Sequence, residues 1–288
     1  MLGASVAAMV LVWGTTWAAI RIGLHGVPPF TAAALRFAIS SGVLLAAHPV
    51  LGIPFDTRPL ARRLWLVNGS LLFIVSYGTV YWTEQWIPSG LAAILFATYP
   101  LLVAVLASFL LPGERASLRT WLGVALGFAG VALIYSEDLA ALGGSRVRGA
   151  AVLFLLSPAA TATANVLVKR WGQGVGPMAL TAAPMAIGAI GLGAIAAVVE
   201  RGAATRFDAT SLACLGYLAL FGSILTFGLF FWLLARFPAT KLSLVAYGTP
   251  VVAVITGTVF LGEPFTARMA AGAATVLAGV AIASAAKR

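Results

Sequence analysis

Ten long stretches without a charged side chain alternate with short charged segments along the whole chain. The stretches are residues 1–20, 37–55, 64–83, 85–113, 120–136, 149–168, 171–199, 209–235, 242–262 and 269–286. A helix needs about 20 largely apolar residues to cross the hydrocarbon core of a bilayer. The composition agrees, since 61% of the residues are hydrophobic and only 9% are charged, against about 25% charged in a soluble domain. We therefore predict an all-α integral membrane protein with ten transmembrane helices and exclude a soluble one.

The second half of the chain repeats the first. Residues 77–100 align without a gap to residues 227–250, and the alignment pairs aromatic residues with aromatic residues and prolines with prolines. Five predicted spans fall in each half. Because five is odd, the second half must enter the membrane from the opposite side. The sequence predicts two inverted five-helix repeats around a central cavity, residues 1–136 and 148–288, joined by a loop at 137–147. This arrangement is typical of secondary transporters, which bind solute where the repeats meet.

The basic residues indicate an orientation. Of the 18 Lys and Arg residues, 11 lie in predicted loops on the side of the N-terminus, 6 lie in loops on the other side and Arg36 lies within a span. Cytoplasmic loops carry the excess of Lys and Arg, so we expect both termini in the cytoplasm of a cell with the protein in its inner membrane. The net charge of +10 is spread over these loops and forms no basic stripe, so we expect the lipid bilayer as a partner and no nucleic acid.

Short motifs lie at defined places along the chain. They are W-G-T-T-W at 13–17 and L-R-F at 35–37 in the first half, and in both halves a proline that leads to Gly-Glu: Pro100 before 113–114 and Pro250 before 262–263. In this order they resemble the EamA repeats of the drug/metabolite transporter superfamily, over nearly the whole chain. Within the superfamily the chain is similar to YddG-type exporters of aromatic and other amino acids. The resemblance implies a ten-helix basket whose central cavity opens alternately to either side, with the fifth and tenth helices packed together at the back.

Candidate cavity residues begin with an aromatic and a polar side chain at matched positions. Trp17 lies one helical turn from Trp13, and their counterparts 148 positions later are Asn165 and Thr161. One half thus offers aromatic surface where the other offers hydrogen-bonding groups. This combination suits a solute with a flat apolar end and a polar end. The structural alternative is that the Trp residues belong to an interfacial belt and that Asn165 ties two helices together.

More aromatic residues recur at helical spacing in the predicted third, fourth, eighth and ninth helices. A tyrosine can stack on a solute ring and still donate through its hydroxyl, whereas the phenylalanine counterparts keep only the ring. Packing between helices is the alternative role for these residues. The candidates are Tyr77, Tyr81, Tyr99, Phe227, Phe231 and Tyr247.

Three residues within spans suggest a charge in the cavity and two hinges. Arg36 is the one basic residue predicted inside a span, and it either meets a solute carboxylate or serves as a structural tie. It has no basic counterpart in the second half, where Pro184 occupies the matching place. Pro100 and Pro250 each remove a backbone donor, and such matched interruptions point to a hinge or a binding site.

Several sites are missing from the sequence. It holds no phosphate-binding G-x-x-x-x-G-K-[ST] loop, no His or Cys spacing for a metal, and no Asp within a predicted span, while Glu84 lies near a span boundary. We therefore expect a transporter that is not an enzyme, needs no cofactor or metal, functions as a monomer, and works as a facilitator or exchanger and not as a tightly coupled proton antiporter. It would export amphipathic metabolites, most of all aromatic and other neutral amino acids. The alternatives are export of other metabolites or drugs, and a membrane-embedded enzyme acting on lipid phosphates.

A reporter fused after Arg288 tests the predicted orientation. We expect a reporter that works only in the cytoplasm to be active, because ten spans return the chain to the side of the N-terminus. Activity of only an exported reporter at the same position would reverse the orientation.

Overall fold

The computed structural model describes residues 2–112, 117–135, 145–237, 239–242 and 245–285, and all regular structure within these ranges is helical. A single helical turn, Ala239–Leu242, precedes the ninth helix. In chain order the longer helices are α1 Leu2–Gly23, α2 Pro29–Val50, α3 Pro59–Thr83, α4 Ser89–Leu110, α5 Leu118–Tyr135, α6 Ser145–Trp171, α7 Pro177–Val199, α8 Ala209–Leu234, α9 Val245–Leu261 and α10 Ala267–Ala285.

Length and composition make this a multi-pass membrane protein. Seven helices, α1 to α4 and α6 to α8, are long and apolar enough to cross a bilayer, and α5, α9 and α10 contain shorter apolar segments. Large apolar side chains such as Phe109, Ile190 and Phe260 are 73–76% exposed on the outer surface of the bundle. Such a surface would be costly in water and matches contact with lipid tails. The order of the helices follows the ten predicted spans.

Helices α3 and α6 begin earlier than the charge-free stretches 64–83 and 149–168 predict. Helix α3 begins at Pro59, five residues before the predicted start, and α6 begins at Ser145, inside the predicted connecting loop 137–147. Both extra turns carry exposed Arg side chains, so a search for charge-free stretches misses them. Proline is also favoured at the first position of a helix, where no backbone donor is needed. Residues 136–144 of the connecting loop lie outside the described ranges.

The two halves are interleaved, and their contacts are matched. Helix α1 packs on α8 and α9, and α6 packs correspondingly on α3 and α4. Helices α2 and α7 pack against each other. Helices α3 and α8 each contain a π-helical segment, Gly69–Ser76 and Leu220–Leu225, at equivalent places in the repeat. Most large contacts therefore join one half to the other.

Matched cations bind matched carbonyl groups at opposite ends of the bundle. Arg21 on α1 donates to the backbone carbonyl of Glu84 at the end of α3. Lys169 on α6 donates to the carbonyl of Leu234 at the end of α8, with 2.8 Å between Nζ and O. A cation that binds the last carbonyls of a helix satisfies acceptors that the helix itself leaves free. We refer to these two places as the Glu84 end and the Lys169 end.

A second matched pair of bonds connects the loops between helices. At the Glu84 end the backbone N–H of Arg206 donates to the carbonyl of Gly26, at 2.7 Å. At the Lys169 end the Arg58 guanidinium donates to the carbonyl of Gly174, at 3.1 Å. Gly174 lies 148 positions after Gly26, and Arg206 lies 148 positions after Arg58. The two bonds thus involve equivalent residues, and both join the first half to the second. Equivalent residues of the two halves therefore make equivalent bonds across the molecule.

Two carboxylates of the second half cap helices of the first half at the Glu84 end. Glu200 accepts bonds from the backbone N–H groups of Phe30 and Thr31 at the start of α2, at 2.7 and 2.9 Å. Glu263 accepts from the N–H of Ser89 at the start of α4, at 2.8 Å. A carboxylate at a helix N-terminus satisfies free donors and interacts favourably with the helix dipole. These caps fasten the halves together at this end.

Helices α5 and α10 pack through glycines, as the family resemblance implies. A Cβ atom added at Gly279 would lie 2.5 Å from the carbonyl oxygen of Gly123 and from the nitrogen of Gly127. A Cβ at Gly130 would lie 2.7 Å from the carbonyl oxygen of Gly272. Small residues allow the two backbones to approach this closely.

Replacing Gly279 by Ala is expected to lower the thermal stability of the purified protein by the equivalent of about 1–3 kcal/mol, because the added methyl meets backbone atoms that cannot rotate away. Gly42→Ala in α2 is the control, since nothing lies within 4 Å of a Cβ there. Thermal unfolding in detergent measures both. Equal stability of the two variants would contradict the glycine packing.

Candidate functional site

A cavity lies between the two halves in the middle of the bundle. It is lined by α1, α3 and α4 of the first half, by α6, α8 and α9 of the second, and by Leu242 just before α9. The empty space, including its open end, measures about 730 Å³. None of the described lining residues is charged.

The matched residues of α1 and α6 face each other across this cavity. Trp13 and Trp17 line it from α1, and Thr161 and Asn165 line it from α6. The structure thus brings together the aromatic and hydrogen-bonding positions that the sequence repeat pairs. Trp17, Thr161 and Asn165 are buried, and Trp13 is half-buried.

Three further sequence candidates, Tyr77, Tyr99 and Phe227, also line the cavity. Asn165 Nδ2 donates to the Tyr99 hydroxyl at 2.9 Å. The Tyr99 ring stacks on Phe96 with centroids 5.7 Å apart. This bond and this stacking hold the aromatic wall in one arrangement.

Two polar atoms of the lining have no hydrogen-bond partner within the part of the chain that the structure describes. They are Trp13 Nε1, a donor, and Asn165 Oδ1, an acceptor. An unpaired buried polar group costs about 1–3 kcal/mol. A solute that offers an acceptor to Trp13 and a donor to Asn165 would recover this free energy on binding.

Arg36 and Tyr81 do not line the cavity. The Arg36 side chain is 1% exposed and donates to Ser223 Oγ at 2.8 Å and to the Gly222 carbonyl at 2.9 Å, on the π-helical segment of α8. It also lies 3.4 Å from the Tyr81 hydroxyl on α3. These contacts tie α2 to α3 and α8. Of the two roles considered for Arg36 from the sequence, the geometry therefore supports that of a structural tie between helices.

Arg36 nevertheless affects the cavity through one of its walls. Its guanidinium carbon lies 4.9 Å from the ring centroid of Tyr77, and Tyr77 lines the cavity. No carboxylate pairs with Arg36 among the described residues. A buried positive charge behind the aromatic wall favours negative charge on the cavity side.

The remaining sequence candidates lie outside the described lining. Phe231 is buried and stacks on Phe227 with centroids 6.1 Å apart. Tyr247 lies in α9 and its side chain is outside the described part of the structure. Pro100 follows a break in α4 between Ser89–Phe96 and Tyr99–Leu110, whereas Pro250 lies within the continuous helix Val245–Leu261. The two proline positions are thus not equivalent.

Several lining residues, including Ser76 and Thr16, are not predicted from the sequence. The Ser76 hydroxyl lies 2.8 Å from the hydroxyls of both Ser157 and Thr161. Ser76 ends the π-helical segment of α3, and π-helical turns are frequent at functional sites. No periodicity in the sequence predicts such a turn, but the neighbouring Tyr77 points to the same part of the helix.

No group of three or more potential metal ligands occurs within the ranges that the structure covers. The lining therefore offers hydrogen bonds, aromatic surface and the field of a nearby cation. These can bind a small molecule without a covalent step.

Comparisons with known proteins identify the family. The model of the EamA-like transporter family matches residues 2–136 and 148–285. The uncharacterized inner membrane transporter YedA of Escherichia coli K12 is 33% identical over 89% of this chain and 81% of its own length. A probable amino-acid metabolite efflux pump of Salmonella typhimurium is 26% identical over 95% of this chain and 91% of its own length.

One solved crystal structure shows the same fold. It aligns with 97% of this chain and 94% of its own, with a TM-score of 0.72 and 20% identity. The family match covers both halves of the chain and nearly all of the described helices. The chain belongs to the EamA-like transporter family, within the drug/metabolite transporter superfamily.

Proposed function

We propose that this transporter exports amphipathic small metabolites, most of all aromatic and other neutral amino acids, by alternating access. The observation that carries the proposal is the uncharged aromatic cavity between the halves, with one unpaired donor and one unpaired acceptor in its wall. A transporter needs such a site away from lipid. Relatives named as transporters support the general activity, and the efflux pump of Salmonella typhimurium is named for amino-acid metabolites.

An aromatic amino acid matches the groups in the cavity. Its ring would stack among Trp17, Tyr99 and Phe227, and aromatic pairs contribute about 0.5–1.5 kcal/mol beyond the area they bury. Its ammonium group would donate to Asn165 Oδ1. Its carboxylate would accept from Trp13 Nε1 and benefit from the charge of Arg36 behind Tyr77. Neutral drugs and metabolites without a carboxylate would gain the stacking but not the favourable interaction with the charge of Arg36.

The inverted arrangement supports alternating access. In the proposal all ten helices cross the membrane, residues 1–136 and 148–288 form the two repeats, and the loop at 137–147 connects them. The matched bonds at the Glu84 and Lys169 ends allow one end to open by the same rearrangement that closes the other. The break before Pro100 in α4 is the hinge candidate that the fold favours, since it interrupts a helix that lines the cavity.

We propose an orientation from the charge distribution and an assembly from the cavity. We place both termini in the cytoplasm, so that the Glu84 end faces outward. We also propose that the protein works as a monomer in the inner membrane without a cofactor, because the cavity is formed by one chain. YedA is named as an inner membrane transporter.

Asn165→Leu is expected to weaken phenylalanine binding about tenfold, because removal of one hydrogen bond to a charged group costs roughly 1.5 kcal/mol. Counterflow of labelled phenylalanine into proteoliposomes, measured over a range of concentrations, gives the apparent affinity. Thr163→Val is the matched control, since Thr163 also lies on α6 but, among the described residues, its hydroxyl donates to the carbonyl of Ala159 in its own helix.

Efflux of amino acids from cells loaded with dipeptides tests the direction of transport. Faster efflux of phenylalanine with the protein than without it supports export. Counterflow of a neutral drug but of no amino acid would instead favour export of drugs. Equal counterflow of phenylalanine in Asn165→Leu and Thr163→Val would show that Asn165 is not part of the binding site.

A further inference from the structure

Glu84 is a buried carboxyl group that the proposed cavity does not use. It is the first residue after α3, its side chain is 0% exposed, and neither Oε1 nor Oε2 has a hydrogen-bond partner among the described residues. The sequence places it near a membrane boundary, where water would solvate it. In the structure the surrounding helices exclude water from it.

The other acids described at this end are all satisfied. Glu200 and Glu263 cap the starts of α2 and α4. Asp208 accepts a bond from the N–H of Ser211 at the start of α8, at 2.7 Å, and is exposed. Of these four acids, Glu84 alone has a carboxyl group that is both shielded from water and without a hydrogen-bond partner among the described residues. Its environment therefore requires a separate explanation.

The charges around Glu84 do not pair with it. Glu263 acts on it with like charge, and Arg21 and Arg36 act on it from α1 and α2 with opposite charge. Arg21 donates to the backbone carbonyl of Glu84 and not to the carboxyl group. The Tyr81 hydroxyl on α3 is close enough to interact electrostatically.

Helix α6 also packs against the last turns of α3. Its basic residues at this end, Arg146 and Arg148, are exposed. The carboxyl group thus has two cations at some distance, one acid nearby and no direct hydrogen bond in the part of the molecule that is described.

An ionised carboxylate in this position would be costly. Removing such a group from water costs several kcal/mol, and this cost is offset only by close pairing and hydrogen bonds. The neutral acid avoids most of it. We propose that Glu84 is a proton-binding site that holds a proton while this end of the bundle is closed and releases it to water when the end opens.

The step is a simple acid dissociation. The O–H bond of the carboxylic acid breaks, the proton passes to water that enters at the open end, and the carboxylate stays hydrated. When this end closes again, the carboxylate takes up a proton from the same side of the membrane. No net proton crosses the membrane, so the site agrees with a facilitator or exchanger.

The proposal rests on the proposed alternating access, and it sets a direction for the effect of pH. The closed form binds the proton more tightly than the open form, so by linkage a higher pH on this side shifts the population towards opening. Acid on this side holds the end closed. Export would then slow in an acidic medium.

Infrared spectroscopy of the purified full-length protein tests the proton directly. Near neutral pH we expect the C=O stretch of a protonated carboxylic acid, which disappears in Glu84→Gln and persists in the exposed control Asp208→Asn. A wild-type spectrum that shows every carboxyl group ionised would by itself overturn the proposal. Persistence of the band in Glu84→Gln would overturn it as well.

Thiol labelling measures the opening of this end. In a Cys214→Ser background, a cysteine at Ile87, which is 0% exposed, should react faster as pH rises, by more than the increase in its thiolate fraction accounts for. With Glu84→Gln, which mimics the neutral acid, labelling should be slow and should rise with pH only as the thiolate fraction does, and with Asp208→Asn it should keep the wild-type dependence. The same pH dependence in Glu84→Gln would contradict the proposal. Neither readout needs phenylalanine, so failure of amino-acid transport would leave these results standing.

Discussion

In a bilayer every polar group must find its partner inside the protein, and this chain meets much of that requirement with bonds that cross between its halves. Glu200 and Glu263 of the second half cap helices of the first. Arg36 of the first half binds the π-helical segment of the second. Because these bonds are shared, neither half can move without rearranging them. The same bonds that hold the helices together thus define which movements are available.

The few buried polar groups that lack partners in the described structure stand out against this background. Trp13 Nε1 and Asn165 Oδ1 lie in the cavity, and the Glu84 carboxyl group lies at one end of the bundle. Each is costly to leave unpaired. A solute that binds in the cavity would satisfy the first two, and a proton would neutralise the third. Trp65 Nε1 and Asn68 Oδ1 on α3 also lack partners among the described residues. The central cavity and the Glu84 end are therefore two places where binding would recover free energy.

Much of this fold is predictable from the sequence, because ten charge-free stretches and a repeat of matched aromatic residues constrain both topology and the central site. Five of the candidates chosen from that repeat do line the cavity, and they are Trp17, Tyr77, Tyr99, Asn165 and Phe227. Helical spacing could not show that Arg36 and Tyr81 lie behind the wall, because spacing shows which residues share a helix face and not which neighbours that face meets. The burial of Glu84 depends on packing by other helices, and short charged first turns hid the true starts of α3 and α6.

The central claim is that one cavity between inverted halves is reached from both sides of the membrane. Labelling of a single cysteine at Thr161, which lines the cavity, tests it in Cys214→Ser protein reconstituted in vesicles of known orientation. The account predicts that a membrane-impermeant thiol reagent reacts when added on either side and that phenylalanine slows both reactions. Reaction from one side only, under every condition of solute and pH, would contradict it.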